Sequence, residues 1–462
     1  MAAPEARSDL RDEAVSLLRE LIRIDTSNPP GNETEAAKLL RDYLERNGVD
    51  CRLVAFDPMR ANLVARLPGR GDGPSLALLS HIDTVGADSF EWTGDPWSGD
   101  LTGDEVWGRG ALDMKGQVAA GAVAIASLAR EGYEPAGDLV FVAAADEEVG
   151  YEVGMPWLCR EHPELVRADY AINEGGGERI VVDGKPFYIC AVAEKLTAPV
   201  RLRVRGRSGH ASMPEIADNA LVKAAPFVER LGRHHPEPEL IPELEAFFLA
   251  VCGQIPLPEE ALELARSLGP AVAETIEPLL GPTLAPTMIR ASDRRNVIPA
   301  LCEVIVDCRL QPGQTSADAE QAVREQIGPG DYEIRALESA GGTRSPLDTP
   351  LWRAIEGFIG AEESGAAIAP VCTPGFTDSH WLRQTFGTVA YGFFPVRTME
   401  AEVASRLIHG PDERVAVSDL ELGVHFLRHV AREIGRLSVQ KRGGGFDTKS
   451  ALFGVPQGLT GR

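Results

Sequence analysis

Apolar residues at Leu10, Ala14, Leu17, Leu18 and Leu21 recur at helical spacing, and Ser8 stands where a cap would start that helix. Asn32 and Glu35 have capping-box spacing ahead of a second helix that Gly48 ends. Short strands are predicted at 51–56, 62–67 and 75–80, followed by an Ala-rich helix from Met114 to Glu131 that Gly132 stops. The apolar runs 138–144 and 170–173 predict buried strands. Strands alternating with helices predict an α/β sheet covered on both faces.

From Pro199 the pattern changes. Residues 200–204 alternate with period two, Arg201 and Arg203 facing one way, which predicts a half-buried strand. A helix at 217–231 follows, then a Pro- and Glu-rich helical region to about Pro286. Strands at 288–296 and 301–310, a helix at 316–327 and a strand at 332–337 complete the series. Leaving out the helical region, the order is strand-helix-strand-strand-helix-strand, that of a ferredoxin-like α+β domain. After Thr343 a long helix, a buried strand at 388–394 and a closing helix at 419–434 resume the first pattern. The chain therefore divides into a catalytic domain in two parts, 1–195 and 343–436, interrupted at 196–342 by a smaller domain that carries a helical insertion at 233–284. The Gly-rich end, 437–462, reads as a mobile tail.

Composition narrows the function. The 462 residues suit two or three domains. Their formal net charge of −23 argues against nucleic-acid or anionic-membrane partners, which clustered cations recognise. Seven cysteines without a C-x-x-C pair imply reduced thiols rather than a disulfide scaffold. The charged start lacks the pattern of a signal peptide, and no apolar run is long enough to span a bilayer. A soluble, cytoplasmic protein is expected.

Chemistry-bearing residues fall at strand ends, where open α/β sheets gather ligands. Ser80-His81-Ile82-Asp83-Thr84 closes one strand. The His81 imidazole can ligate zinc while Asp83 fixes its tautomer, although an exposed turn histidine beside a capping Asp83 explains the fragment equally simply. In the Gly-rich turn Trp107 to Gly116, Asp113 stands at an N-cap position or offers both oxygens to two cations. Asp146-Glu147-Glu148 follows a buried strand, as a solvated loop or as a metal ligand beside a proton carrier. Glu174 ends a further strand, and His409 lies in a late turn with Gly410 and Pro411. Two histidines and three carboxylates suit a carboxylate-bridged cation pair, zinc above all, with manganese or cobalt also compatible.

Taken in order from Leu10 to Ile434, these motifs resemble the di-zinc aminoacylase and carboxypeptidase family that includes acetylornithine deacetylase, succinyl-diaminopimelate desuccinylase and glutamate carboxypeptidase. The resemblance implies a zinc-peptidase-like α/β catalytic domain, its mixed sheet flanked by helices, interrupted by a ferredoxin-like lid and dimerisation domain. It implies that His81, Asp113, Glu148, Glu174 and His409 hold two divalent cations with Asp113 bridging, that Glu147 is the general base, and that Asp83 orients His81. Family members carry a cis peptide after the bridging Asp, which here is Asp113–Met114. Gly206 to Pro214 resembles the motif whose histidine, His210 here, reaches the site from a partner subunit to stabilise an oxyanion. By the same resemblance Asn296 and Arg309 lie near substrate. Arg309 suits a bidentate clamp on a carboxylate, and an ion pair with Asp307 is an equal alternative. Pro374 to His380 resembles a substrate-side loop in which His380 is structural.

Two departures stand out. The 233–284 segment is expected to reshape the dimer contact or roof the substrate cavity, and Leu196 replaces a family Gly after Glu194-Lys195. The implied activity is metal-dependent hydrolysis of an amide or peptide bond in an N-acyl amino acid or small peptide, by a homodimer. The alternative is an inactive metal- or amino-acid-binding member of the family.

Overall fold

The computed structural model describes residues 4–150 and 153–438, so the tail expected at 437–462 lies outside them beyond Ser438. A nine-stranded mixed sheet forms the larger layer. At its centre the strand Leu76–His81 lies parallel to Leu139–Ala144 on one side and to Tyr170–Asn173 on the other. Asp50–Val54 and Asn62–Leu67 extend it antiparallel beyond Leu139–Ala144. On the far side Val389–Gly392, Lys185–Glu194 and Ala367–Thr373 complete it, with Arg179–Val182 hairpinned onto Lys185–Glu194.

Alternation along these strands sorts side chains onto two faces. Leu76, Leu78, Leu139 and Phe141 pack with the helices Pro4–Ile22, Lys115–Arg130 and Val417–Ile434. Ala77, Leu79, Val140 and Val142 pack with Met155, Leu158 and Leu382 on the opposite side. Small residues let Lys115–Arg130 sit close: Ala119, Ala120 and Ala122 are fully buried, and a Cβ at Gly121 would lie 2.9 Å from the Phe141 ring.

The second, antiparallel sheet carries Glu333–Ala336, Val200–Arg205 and Leu301–Leu310 in that order, with Thr283–Arg290 beyond Leu301–Leu310. The helices Ala220–Gly232 and Ser316–Ile327 cover it through Ala224, Phe227, Val323 and Ile327. This is the ferredoxin-like order expected from the sequence. Leu196–Thr197 and Ala340–Gly341 add short strands where the chain enters and leaves.

Several local expectations differ. The first helix begins at Pro4, which places Ser8 inside it. Asn32 starts the second helix without a capping box, because Glu33 is drawn into a buried ion pair with Arg60 and Glu35 pairs with Lys38. The strand expected from Met288 begins at Thr283 and absorbs Pro286 at a register shift. The strands Lys185–Glu194 and Ala367–Thr373 went unpredicted: Pro186 and Pro370 argue locally against strands, and only pairing within the sheet overrides them.

The insertion settles on the larger sheet. Its helices Pro242–Cys252, Ala261–Leu268 and Pro270–Ile276 send Leu244, Phe247, Phe248 and Ile276 onto Phe187, Ala191, Ala369 and Val371 of the nine-stranded sheet. Lys195 ties the end of the insertion down by donating to the carbonyls of Pro278 (2.8 Å) and Gly281 (2.7 Å). The insertion thus completes the core of the larger layer instead of extending the smaller one. Phe248→Ala is expected to destabilise the protein by about 3–5 kcal/mol in chemical denaturation, the range for an emptied aromatic core site. A surface-like change below about 0.5 kcal/mol would show that the insertion is not part of this core.

Candidate metal centre

Register assembles the site. His81 is paired opposite Ala144, so Glu147 and Glu148 emerge beside it just past the end of the neighbouring strand. Glu174 follows Asn173 at the end of the strand on the other side. Asp113 arrives from the Gly-rich turn, in which Gly108 (φ 148°) and Gly110 (φ 86°) take backbone conformations that other residues rarely adopt. The Asp113–Met114 peptide is cis, as the resemblance implied, and the helix begins at Lys115, so Asp113 precedes the N-cap Met114. His409 holds a positive φ of 60° at the end of a short helix, which turns its imidazole toward the other groups.

The resulting geometry is that of two triads sharing one carboxylate. His81 Nε2 lies 3.2 Å from Asp113 Oδ1 and 3.5 Å from Glu174 Oε2. His409 Nε2 lies 3.1 Å from Asp113 Oδ2 and 3.1 Å from Glu148 Oε2. Within each triad the potential ligand atoms fall inside 4.8 Å of one another. Nitrogen with carboxylate donors suits zinc and its neighbours, and Asp113 offers one oxygen to each triad. The donor set therefore fits two divalent cations. Asp113, Glu147, Glu148, Glu174 and His409 line a cavity of about 310 Å³.

Electrostatics gives the same reading. Burial opposes a charged His81, but Glu174, Asp113 and Asp83 outweigh it and hold the imidazole well above its ordinary pKa. Hydrogen bonds with Asp113 and Glu148 raise His409 to about 10. Burial pushes the Glu174 carboxyl up to about 7, and burial with the nearby Glu174 carboxylate lifts Glu147 well above the carboxylate range. Burial alone would raise Asp113, yet its contacts with His409 and His81 pull it far below.

Backbone amides fix the loops. Asp83 accepts hydrogen bonds from the N–H groups of Glu147 and Glu148 (both 3.1 Å) and from Asn28 Nδ2 (2.9 Å). Its backbone carbonyl lies 3.1 Å from His81 Nδ1 and its carboxylate 3.4 Å. Buried Glu413 accepts from the N–H groups of Gly110 (3.0 Å), Leu112 (2.7 Å) and Asp113 (3.0 Å), and from Arg109 Nη1 (2.6 Å). Asn28 also donates to Asp146 Oδ1 (2.9 Å), which Arg60 approaches to 3.1 Å. Sequence reasoning passed over Glu413 and Asn28. The signals available were the position of Glu413 four residues after His409 and the Asn28-Pro29-Pro30 turn, which tightens into two cis peptides. Asp378 is buried with Oδ2 unpaired, and burial raises its carboxyl well above normal.

The residues expected to meet substrate from the smaller domain stand apart from this network. His210 is exposed, its Nδ1 2.8 Å from Ser212 Oγ. The Asn296 carbonyl accepts from Ala211 N–H. Arg309 is held by Asp307 (2.7 and 3.2 Å) and Thr197 Oγ1 (2.8 Å), the ion-pair arrangement. His380 is buried, and burial and the neighbouring Arg383 lower it to about 4.

A mixed sheet with helices on both faces, bearing a shared-carboxylate pair of triads at its strand ends, defines a dinuclear metal hydrolase. Residues 77–433, which include every expected metal ligand, match the model of Peptidase family M20/M25/M40, and the chain belongs to that family. It is similar to the N-fatty-acyl-amino acid synthase/hydrolase PM20D1 of Xenopus tropicalis, at 28% identity over 76% of this chain and 70% of that protein. It is also similar to succinyl-diaminopimelate desuccinylase of Cereibacter sphaeroides, at 26% identity over 88% and 95%. Among solved structures, the M20 metallo-carboxypeptidase Sso-CP2 of Sulfolobus solfataricus superimposes with a TM-score of 0.69 at 19% identity, covering 92% of this chain and all of that one. The Bacillus subtilis YXEP protein, described as a dinuclear metal binding peptidase, gives 0.56 at 13% identity over 92% and 98%.

Two outcomes follow. Glu413→Ala should weaken divalent-metal affinity about 10–100-fold in competition with a chelator, since it frees the turn that carries Asp113. The metal-free protein should also take up cations more tightly as pH rises from about 6 to 8. His409 keeps its proton up to about 10, so loading must expel that proton, and affinity should grow about tenfold per pH unit for each proton displaced. Calorimetry in buffers of different ionisation enthalpy measures the release.

Proposed function

We propose that this protein hydrolyses the amide bond of an N-acyl amino acid or small peptide bearing a free carboxylate. The observation that carries this reading is the sharing of Asp113 between two ligand triads with Glu147 in the wall of the same cavity. In it, His81, Asp113 and Glu174 would hold one cation and Asp113, Glu148 and His409 the other, with zinc matching the nitrogen and carboxylate donors. Two such cations, when bound, supply Lewis acidity to the scissile carbonyl and acidify the attacking water. Glu147 takes that water's proton and delivers it to the departing amine, a role that suits a carboxyl already raised by burial. Asp83 keeps His81 in one tautomer and holds the Glu147-Glu148 turn in place. His210 from a second subunit stabilises the oxyanion after closure, with Asn296 beside it. Arg309 exchanges Asp307 for the substrate carboxylate. The relatives' names, with their acyl-amino acid and desuccinylase activities, support an acyl group on an amino acid as substrate.

A homodimer formed through the smaller domain and a cytoplasmic setting belong to the same proposal. Seven free thiols fit a reducing compartment, and among the described residues no helix is long and apolar enough to cross a membrane. An inactive binding protein is the weaker reading, because binding alone has no use for Glu147.

Glu147→Gln should lower kcat by about 10²–10⁴-fold on N-acyl amino acids while zinc content stays near wild type. Wild-type turnover in that variant would remove Glu147 as the base. His210→Ala should cost about 10²–10³-fold in kcat, and mixing it with the Glu147→Gln variant should restore activity if His210 acts across subunits.

A further inference from the structure

A second cavity of about 300 Å³ adjoins the metal centre, and its wall shares Gly175 and Glu178 with the first. Ile180, Ile189 and Val371 form the side supplied by the nine-stranded sheet, while Phe247 and Val272 of the insertion close it opposite. Phe247 and Val272 are themselves buried in the core that anchors the insertion, so this wall is fixed. Among its described lining residues there is no lysine, arginine or histidine; the charged ones are Glu178 and Glu274. Such a wall repels a carboxylate.

We propose that this cavity, roofed by the insertion, receives the apolar acyl group of the substrate and makes the enzyme selective for N-acyl amino acids with acyl chains of medium length. This rests on the hydrolase reading above and adds to it. The carboxylate-bearing half of the substrate needs a cation such as Arg309, which the cavity lacks, so the acyl half enters it from the metal centre past Gly175 and Glu178. At the roughly 30 Å³ that a water occupies in the liquid, the cavity takes on the order of ten non-hydrogen atoms. Chains up to about that length should gain from burial, and longer ones should not.

The test measures kcat/KM of the zinc-loaded, full-length protein on N-acyl glycines from acetyl to hexadecanoyl, on the octanoyl derivatives of alanine and phenylalanine, and on Leu-Gly. The expected result is a rise of up to about fourfold per methylene that levels off near decanoyl. Ala401→Trp and Ile180→Trp fill the cavity from two different sides; Ala401 is partly exposed at the start of its helix. Each should lower the decanoyl-to-acetyl ratio by about tenfold or more while kcat/KM on N-acetylglycine stays within about twofold of wild type. Circular dichroism confirms folding. A flat chain-length profile, or a ratio unmoved by both variants, overturns the acyl pocket while leaving the hydrolase intact. Dependence on the amino acid's side chain instead, or preference for Leu-Gly over octanoyl-Gly, overturns it equally, since the cavity would then serve the amine half or a free amino group. No turnover of any member, N-acetylglycine included, takes down the hydrolase reading and the pocket together.

Discussion

The constraint on which this structure turns is the crowding of carboxylates in one cavity. Asp113, Glu147, Glu148 and Glu174 share one pocket. Two like charges about 4 Å apart cost about 4 kcal/mol even at an effective dielectric of 20. In the protein alone Glu147, Glu174, His81 and His409 all have pKa values raised above their ordinary ones, by burial for the two acids and by neighbouring carboxylates for the two histidines. Bound cations offset that cost. The acids are therefore a strain in the bare fold and a complementary field once metal is present, which is why the same residues that destabilise the pocket define its chemistry.

Such a field is useful only if the ligands cannot relax away from one another. Three adjacent parallel strands set His81, the Glu147-Glu148 turn and Glu174 at one level. Two further acids serve as anchors. Asp83 and Glu413 point at backbone N–H groups of the loops carrying the metal-site acids. A carboxylate that accepts several amide hydrogen bonds is well stabilised despite burial. Burial raises Glu413, with Arg109 opposing it, whereas for Asp83 the hydrogen bonds to His81 and Asn28 overcome burial and lower it. The acids thus divide into those that gather charge and those that hold the gatherers.

Much of this was legible in the chain. Apolar runs ending in His81, Glu147 and Glu174 are strands whose tips must lie together if the strands are parallel neighbours, and they are. The ferredoxin-like order of the smaller sheet was also readable from period and breaks alone. What stayed hidden depends on tertiary pairing. Glu413 looks like another surface acid until the Gly-rich turn folds over it, and Asn28 gains meaning only beside Asp83 and Asp146. The strands holding Pro186 and Pro370 carry local signals against their own conformation, which sheet pairing overrides. The insertion's apolar residues announced helices without saying which sheet they would cover.

That last ambiguity has a physical resolution. Ala367–Thr373 is the terminal strand of the nine-stranded sheet, and Ala369 and Val371 turn apolar side chains outward from it. An uncovered apolar edge of this kind invites pairing with other chains. The smaller sheet already buries one face with Ala220–Gly232 and Ser316–Ile327, although its edge strand Thr283–Arg290 leaves Met288 and Ile289 exposed. Helices inserted at 233–284 therefore gain most by settling on the larger sheet, where Phe247 and Phe248 find an unfilled surface. The cavity beside the metal centre is a consequence of that docking: the covering helices span the rim of the sheet but leave a gap next to Gly175, where a side chain would meet Thr373 at 3.3 Å. Stability of the sheet edge and the shape of the cavity beside the metal centre are thereby written into the same few residues, so changes that reshape the cavity from the insertion's side also loosen the fold. Variation of specificity should accordingly be easier from Ala401 and Ile180 than from Phe247.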